Sequence, residues 1–348
     1  MIRFESDYAE GAHLRILERL AQTNLEQTPG YGLDHYSNNA RKLICNLCEN
    51  QDLDVHFLTG GTQANLIVIV AALRPHQGVI AASTGHITTH ESGAIEASGH
   101  KVLELPSADG KLSATQVAVY CQRYQDDSMR EHLVQPAMVY ISHPTENGTT
   151  YSHAELQALH DTCHKHGLLL YLDGARLGYG LVGKDNDLTL SHIARCCDAF
   201  TIGATKVGAL FGEAIVLTHP SLQPSFRSIV KQRGGLLAKG RLLGLQFEAL
   251  FEDGLYFALS RHAVEMAEQI QNAFARQGFS FRYHSTTNQI FPILPTAVAN
   301  TLAQQYSFSV WETLENENIV ARFCTSWATR PEDVLHLTAQ IGKLSAHG

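Results

Sequence analysis

The sequence predicts an α/β protein, with a large domain whose mainly parallel sheet is flanked by helices and a small α+β C-terminal domain. Three observations lead there. Short, continuously apolar runs such as Leu168-Leu169-Leu170-Tyr171-Leu172 alternate with longer helical stretches, the pattern of strands buried on both faces. The alternation stops near Asp253-Gly254, where a long amphipathic stretch and scattered short strands take over. At 348 residues, the chain also exceeds the size at which a single hydrophobic core keeps growing.

The large domain is expected over residues 25–253 and the small one over 254–348, with residues 1–24 packing on the small domain. His56-Phe57-Leu58 reads as a strand, and residues 62–73 as a helix apolar nearly all round. Residues 79–82 and 102–105 are short strands, and residues 113–124 a helix with Ser113 as its N-cap. A strand follows over 137–141. The helix over 152–166 opens on Ser152-x2-Glu155, a capping-box spacing, and Gly167 ends it. Residues 168–172, 199–202 and 214–217 are further strands, and 225–251 is rich in helix formers and basic residues. The small domain should hold a long helix over 258–277, short strands near Phe281, Ile290 and Val320, and a closing helix after Pro331.

Composition excludes several classes. Apolar residues at 44% and charged residues at 17% suit a packed globular protein rather than a disordered one. A formal charge of −8 disfavours nonspecific binding to nucleic acid or anionic membrane. No run approaches the ~20 apolar residues of a membrane span. Acidic groups in Met1-Ile2-Arg3-Phe4-Glu5-Ser6-Asp7 stand where a signal peptide would be apolar, so a cytoplasmic location is expected. Seven cysteines, an odd number, fit reduced thiols. Cys45-x2-Cys48 lacks a second ligand pair and is read as helix packing. His160-x3-His164 has only Glu155 nearby and is read as a solvated helix face. No metal is expected.

Chemistry is sought at the carboxyl ends of the strands, where ligands bind in parallel α/β sheets. Thr59-Gly60-Gly61-Thr62-Gln63-Ala64-Asn65 joins a strand to a helix, and its N–H groups can hold a phosphate, although such a turn is also a common structural device. His86, after the strand at 79–82, could lie flat over a ring or simply be a satisfied histidine. Asp173 ends a buried apolar strand and is costly to ionise without a cation beside it. A protonated pyridine nitrogen would supply one, and an Asp–Arg ion pair or an ordinary turn Asp is the alternative. Lys206, in Thr205-Lys206-Val207-Gly208, has small neighbours that leave room for a flat ring. A free lysine is neutral in only about one molecule in 2,500 at pH 7, so a Schiff-base role requires a desolvated or cationic setting. The alternative is a surface lysine.

The order of glycine turn, His, Asp and Lys resembles the threonine aldolase and β-eliminating lyase family of pyridoxal-phosphate enzymes, within the fold type I, aspartate-aminotransferase-like group. The resemblance covers nearly the whole chain. It extends to Phe4-Glu5-Ser6-Asp7, Tyr31-Gly32-x-Asp34-x-Tyr36, His86-Ile87 with Glu91-x-Gly93-Ala94, Pro144-Thr145-Glu146-x-Gly148-Thr149 and Leu172-Asp173-Gly174-Ala175-Arg176. It implies that Gly61 and Thr62 bind the phosphate of pyridoxal 5'-phosphate, His86 stacks on the ring, Asp173 pairs with the pyridine nitrogen and Lys206 forms the Schiff base. Ser6, Arg176 and Arg322 are implied to receive a substrate carboxylate, and Arg176 the cofactor's ring oxygen as well. Lys239 or Arg241 would reach the phosphate of a neighbouring subunit, placing the active site at the interface of a homodimer or homotetramer.

Two positions depart from the family pattern. Glu146 stands where many members have His, and Val207 follows the lysine where many have Gly or Asn. The reaction implied is retro-aldol cleavage of a β-hydroxy-α-amino acid such as threonine or allo-threonine, giving glycine and an aldehyde. His86, His90, Glu146 or an ordered water would take the β-hydroxyl proton. β-Elimination or transamination is the rival within the cofactor class. A histidine-rich metal-binding protein is the rival outside it.

Overall fold

Seven strands make the large sheet in the computed structural model, which describes residues 1–315 and 317–344. They are β1 (Asp54–Leu58), β2 (Gln77–Ala82), β3 (Lys101–Leu105), β4 (Gln135–Ser142), β5 (Leu169–Asp173), β6 (Ala199–Gly203) and β7 (Glu213–Leu217). Their spatial order is β1-β7-β6-β5-β4-β2-β3. Neighbours from β3 through β6 run parallel, whereas β7 is antiparallel to both β6 and β1. Six strands therefore end on one rim, and β7 begins there. That rim carries the site.

The strands form where expected because both faces of the sheet are covered. Alternate residues feed two separate cores: Leu170, Leu172, Phe200 and Ile202 enter one, and Tyr140, Tyr171 and Ala199 enter the other. Helix Gly61–Ala72 covers the second face with Ile67, Val68 and Ile69, which explains its apolar circumference. Local chemistry sets the helix ends. Ser113 and Ser152 each complete a capping box, and Gly167 ends its helix at φ 67°.

Beyond the large sheet, strand Asn318–Cys324 pairs antiparallel with Ile293–Pro295, Ser309–Thr313 and Gln289–Ile290. Phe281 makes a single bridge to Pro292 instead of the expected strand, since the neighbouring residues turn away after one contact. Residues 1–24 pack on two of the hydrophobic cores. Ile2–Arg3 pairs with Tyr306–Ser307 and Phe4 enters the small core, while helix Leu14–Gln22 buries Ile16 in the large core. Helix Leu255–Arg276 packs on two cores, giving Tyr256 and Leu259 to one that covers the large sheet and Ile270 and Phe274 to the one built around Phe4 and Phe323.

All seven cysteines are free and buried, Cys45 and Cys48 among them. His160 and His164 stack along their helix, and the His160 ring meets the Cys196 carbonyl at 2.6 Å. Among the described residues, no helix is long and apolar enough to cross a membrane.

Candidate active site

Asp173 closes a strand of the large sheet, and His86, Glu146 and Lys206 each lie just past the end of one. Asp173 closes β5, and Tyr140 and Tyr171 share its face of the sheet, so their side chains meet helix Gly61–Ala72. Asn65, a polar residue on that apolar helix, fills the gap between them. It donates to Asp173 Oδ2 at 2.9 Å and to Glu91 Oε1 at 2.7 Å, and accepts from the Tyr171 hydroxyl at 2.7 Å. Tyr140 donates to Asp173 Oδ2 at 2.7 Å, and the Ala175 N–H donates to Oδ1 at 2.9 Å. Burial favours the neutral acid, but His86, Tyr140, Asn65 and the Ala175 N–H outweigh it and hold the Asp173 carboxyl below its ordinary range.

His86 opens a short helix after β2. Its Nδ1 meets Glu91 Oε1 at 2.7 Å, and its backbone N–H donates to Glu146 Oε1 at 3.0 Å. One nitrogen or oxygen from each of His86, Glu91 and Asp173 lies within 4.8 Å of the others. Burial opposes a charged imidazole, yet the Glu91 hydrogen bond and the Asp173 and Glu146 charges raise its proton affinity above the usual value. Glu146 also accepts from Ser142 Oγ at 2.7 Å, and burial holds its carboxyl above the carboxylate range.

Lys206 follows β6 on a tight hairpin. Gly203 and Gly174 are needed there: a Cβ on Gly203 would stand 2.4 Å from the Ala175 carbonyl oxygen, and one on Gly174 only 2.0 Å from that of Thr201. Burial and the Arg176 cation lower the Lys206 ammonium below its usual range, opposed by Asp7, Glu213 and Asp173. Lys206 and Asp173 line one pocket together with His86, Ser142, Pro144, Glu146, Ala175 and Arg176.

Arg176 lines the pocket and is held from within the chain. Its Nε and one terminal nitrogen grip Asp7 at 2.7 and 2.9 Å, and Asn288 supports the same carboxylate at 2.9 Å. Asp7 thereby occupies the Nε–Nη2 edge of the guanidinium. Arg322 donates to the Glu5 carbonyl and Ser309 Oγ, lies over the Trp311 ring at 4.7 Å, and keeps a buried Nε without a partner among the described residues. Ser6 sits between these two attachments, since its neighbours Glu5 and Asp7 hold Arg322 and Arg176. Burial, with the His86, Arg322 and Arg176 charges, lowers the proton affinity of His90.

Gly61 and Thr62 form the first turn of helix Gly61–Ala72, whose N-cap Gly60 supplies no side-chain hydrogen bond. Lys239 is exposed, Arg241 donates to Thr23 Oγ1 at 2.9 Å, and neither lines the pocket of its own chain. Sequence reasoning assigned no role to Asn65, Tyr140, Ser142 or Glu213. Only Asn65 carried a signal, as a polar residue in an apolar helix.

The strand order and the rim site define an aminotransferase-like α/β enzyme. Thermus thermophilus aspartate aminotransferase shares the fold at 14% identity, with TM-score 0.70 over 99% of this chain and 91% of its own. Residues 4–295 match the beta-eliminating lyase family, and the chain belongs to it. It is an enzyme, a lyase. The low specificity L-threonine aldolase of Pseudomonas sp. (strain NCIMB 10558) is 30% identical over 97% of this chain and 96% of its own length. The solved threonine aldolase of Leishmania major superposes with TM-score 0.96 at 43% identity, covering 99% of both chains.

Proposed function

We propose that this lyase binds pyridoxal 5'-phosphate and cleaves β-hydroxy-α-amino acids, L-threonine or L-allo-threonine among them, to glycine and an aldehyde. The observation that carries the reading is the single pocket shared by Lys206, Asp173, His86 and Glu146. The names of the Pseudomonas and Leishmania relatives support it.

The residues suit that cofactor. Three buried carboxylate oxygens, Glu91 Oε2, Glu146 Oε2 and Glu213 Oε2, have no hydrogen-bond partner among the described residues. A site so rich in acids favours a cationic ring nitrogen beside Asp173. The first-turn N–H groups at Gly61 and Thr62, left unclaimed by any cap, would take the phosphate. Lys206 would supply the amine for covalent attachment. His86, fixed by Glu91 and Glu146, would lie over the ring. When bound, the cofactor supplies an electron sink at Cα.

Among the expected bases, Glu146 fits best. Its Oε1 is anchored by Ser142 and His86, its Oε2 is unclaimed, and burial raises its basicity toward neutral pH. The lowered proton affinity of His90 makes it the weaker candidate. Glu146 takes the β-hydroxyl proton as the Cα–Cβ bond breaks, the electron pair stays with Cα, and Cα then takes a proton to give glycine. Ser6, Arg176 and Arg322 would receive the substrate carboxylate, and Arg176, braced by Asp7, would also serve the cofactor's ring oxygen.

The working assembly in this reading is a homodimer or homotetramer whose interface includes the active site. Exposed Leu25, Tyr31 and Leu33 support it: the Tyr31 N–H donates to the Ala238 carbonyl, next to Lys239 and the helix that starts at Arg241. A cytoplasmic setting is supported by the seven free thiols. The test is to incubate cofactor-loaded protein with each threonine isomer and follow aldehyde with an alcohol dehydrogenase and NADH. Glycine and acetaldehyde should form one for one. Ammonia and a keto acid instead would mean elimination, and no aldehyde from either isomer overturns the proposal.

A further inference from the structure

The rim of the large sheet holds an acid that no motif announces. Because β7 runs against its neighbours, its first residue, Glu213, stands in register with Leu58 on one side and Gly203 on the other. Leu58 leads into the glycine turn, and Gly203 into the hairpin of Lys206. That hairpin is closed by the Ala204 and Thr205 N–H groups, which donate to the Gly212 carbonyl, and by the Gly212 N–H, which donates to Thr205 Oγ1 at 2.9 Å. Glu213 is thereby fixed between the phosphate turn and Lys206, and it is only 4% exposed.

Its Oε1 lies 3.6 Å from the point where a Cβ would stand on Gly61, and its buried Oε2 has no hydrogen-bond partner among the described residues. A desolvated carboxylate so placed needs a cation or a proton. Resting on the cofactor reading above, we propose that Glu213 is a phosphate-facing acid, which admits the phosphate as the uncharged carboxyl and donates a hydrogen bond to a phosphate oxygen while keeping its proton.

Two charged groups act on it: Asp173 from β5 and Lys206 from the hairpin. The first turn of helix Gly61–Ala72 brings Gly61, Thr62 and Gln63, and β1 ends in Leu58, none of them charged. From helix Arg241–Phe251 comes Gln246, neutral and already accepting from the Leu210 N–H at 2.8 Å. Burial, then Asp173, push the Glu213 carboxyl up to about 8 against the pull of Lys206. A phosphate dianion in the adjacent turn acts in the same direction. The coupling is reciprocal, so a proton on Glu213 and a phosphate beside it strengthen each other. Above the pH at which Glu213 ionises, phosphate binding weakens by about tenfold for each further pH unit.

The test uses full-length apoenzyme titrated with pyridoxamine 5'-phosphate, which cannot bond Lys206 covalently, between about pH 7 and about pH 9. For the wild type, Kd should weaken about tenfold over that interval. Glu213→Gln, which keeps the size and a donor, should show no such loss, and Glu213→Ala should be equally flat but bind more weakly at the lower pH. Phosphate-free pyridoxamine should give matching profiles in wild type and Glu213→Gln, with circular dichroism confirming the fold at each pH. Superimposable profiles with the phosphorylated probe overturn the proposal. So does an equal Glu213-dependent loss with the phosphate-free probe, which would place the acid's influence on the ring or on Lys206. Failure of every form to bind the phosphorylated probe is a separate result, and it rejects the cofactor reading itself.

Discussion

Tyr140→Phe removes one oxygen atom from the cluster that holds Asp173. That hydroxyl is one of three donors to the carboxylate, at 2.7 Å, beside Asn65 and the Ala175 N–H, each at 2.9 Å. A hydrogen bond to a charged group is worth about 1.5–3 kcal/mol. Without it Asp173 becomes more basic and draws the shared proton away from the ring nitrogen, which weakens the electron sink. If the whole energy appears in the transition state, kcat falls by about tenfold to about 150-fold, at 1.36 kcal/mol per factor of ten. Cofactor content should hold, because the phosphate turn and Lys206 are untouched. Folding should change little, since Ser142 keeps its bond to Glu146 when it loses the Tyr140 oxygen. The assay is aldehyde release coupled to NADH oxidation, with bound cofactor measured on the same sample. A kcat within about a factor of two of wild type at full occupancy would refute the role given to that hydroxyl.

Four further outcomes are expected. Lys206→Ala should abolish the visible absorbance of bound cofactor and most activity, and a spectrum before and after adding glycine checks it. Glu146→Gln should lower kcat by about 10²–10⁴ and remove the acid limb of the pH–rate profile: burial holds this carboxyl above its ordinary value, so the ionised base accumulates as pH rises. Arg322→Ala should raise KM with cofactor content unchanged, whereas release of the cofactor would mean that this arginine faces the phosphate instead. Arg176→Ala strands the buried Asp7 carboxylate and should cost about 3–5 kcal/mol in urea unfolding. Burial would raise the Asp7 carboxyl, but Arg176 and Lys206 hold it below its ordinary range. That stabilisation is therefore present above the ordinary carboxylate pKa and is lost as pH falls through the folded value, so the Arg176→Ala deficit should shrink in acid.

What the sequence determined by itself is whatever short-range chemistry controls. The apolar runs set β4, β5 and β6, Ser113 and Ser152 set two helix starts, and Gly167 set a helix end, because solvation and capping act within a few residues. The order of glycine turn, His86, Asp173 and Lys206 was legible for a related reason: in parallel sheets such residues fall at successive strand ends on one rim. Tertiary structure alone decided the rest. Asn65 meets Asp173 across 108 positions and Asp7 meets Arg176 across 169, so no local pattern could show that Asn65 would hold Asp173 or that Asp7 would brace the arginine. Glu213 joined the rim only because β7 reversed direction, and strand direction is set by sheet pairing rather than by the composition of the strand.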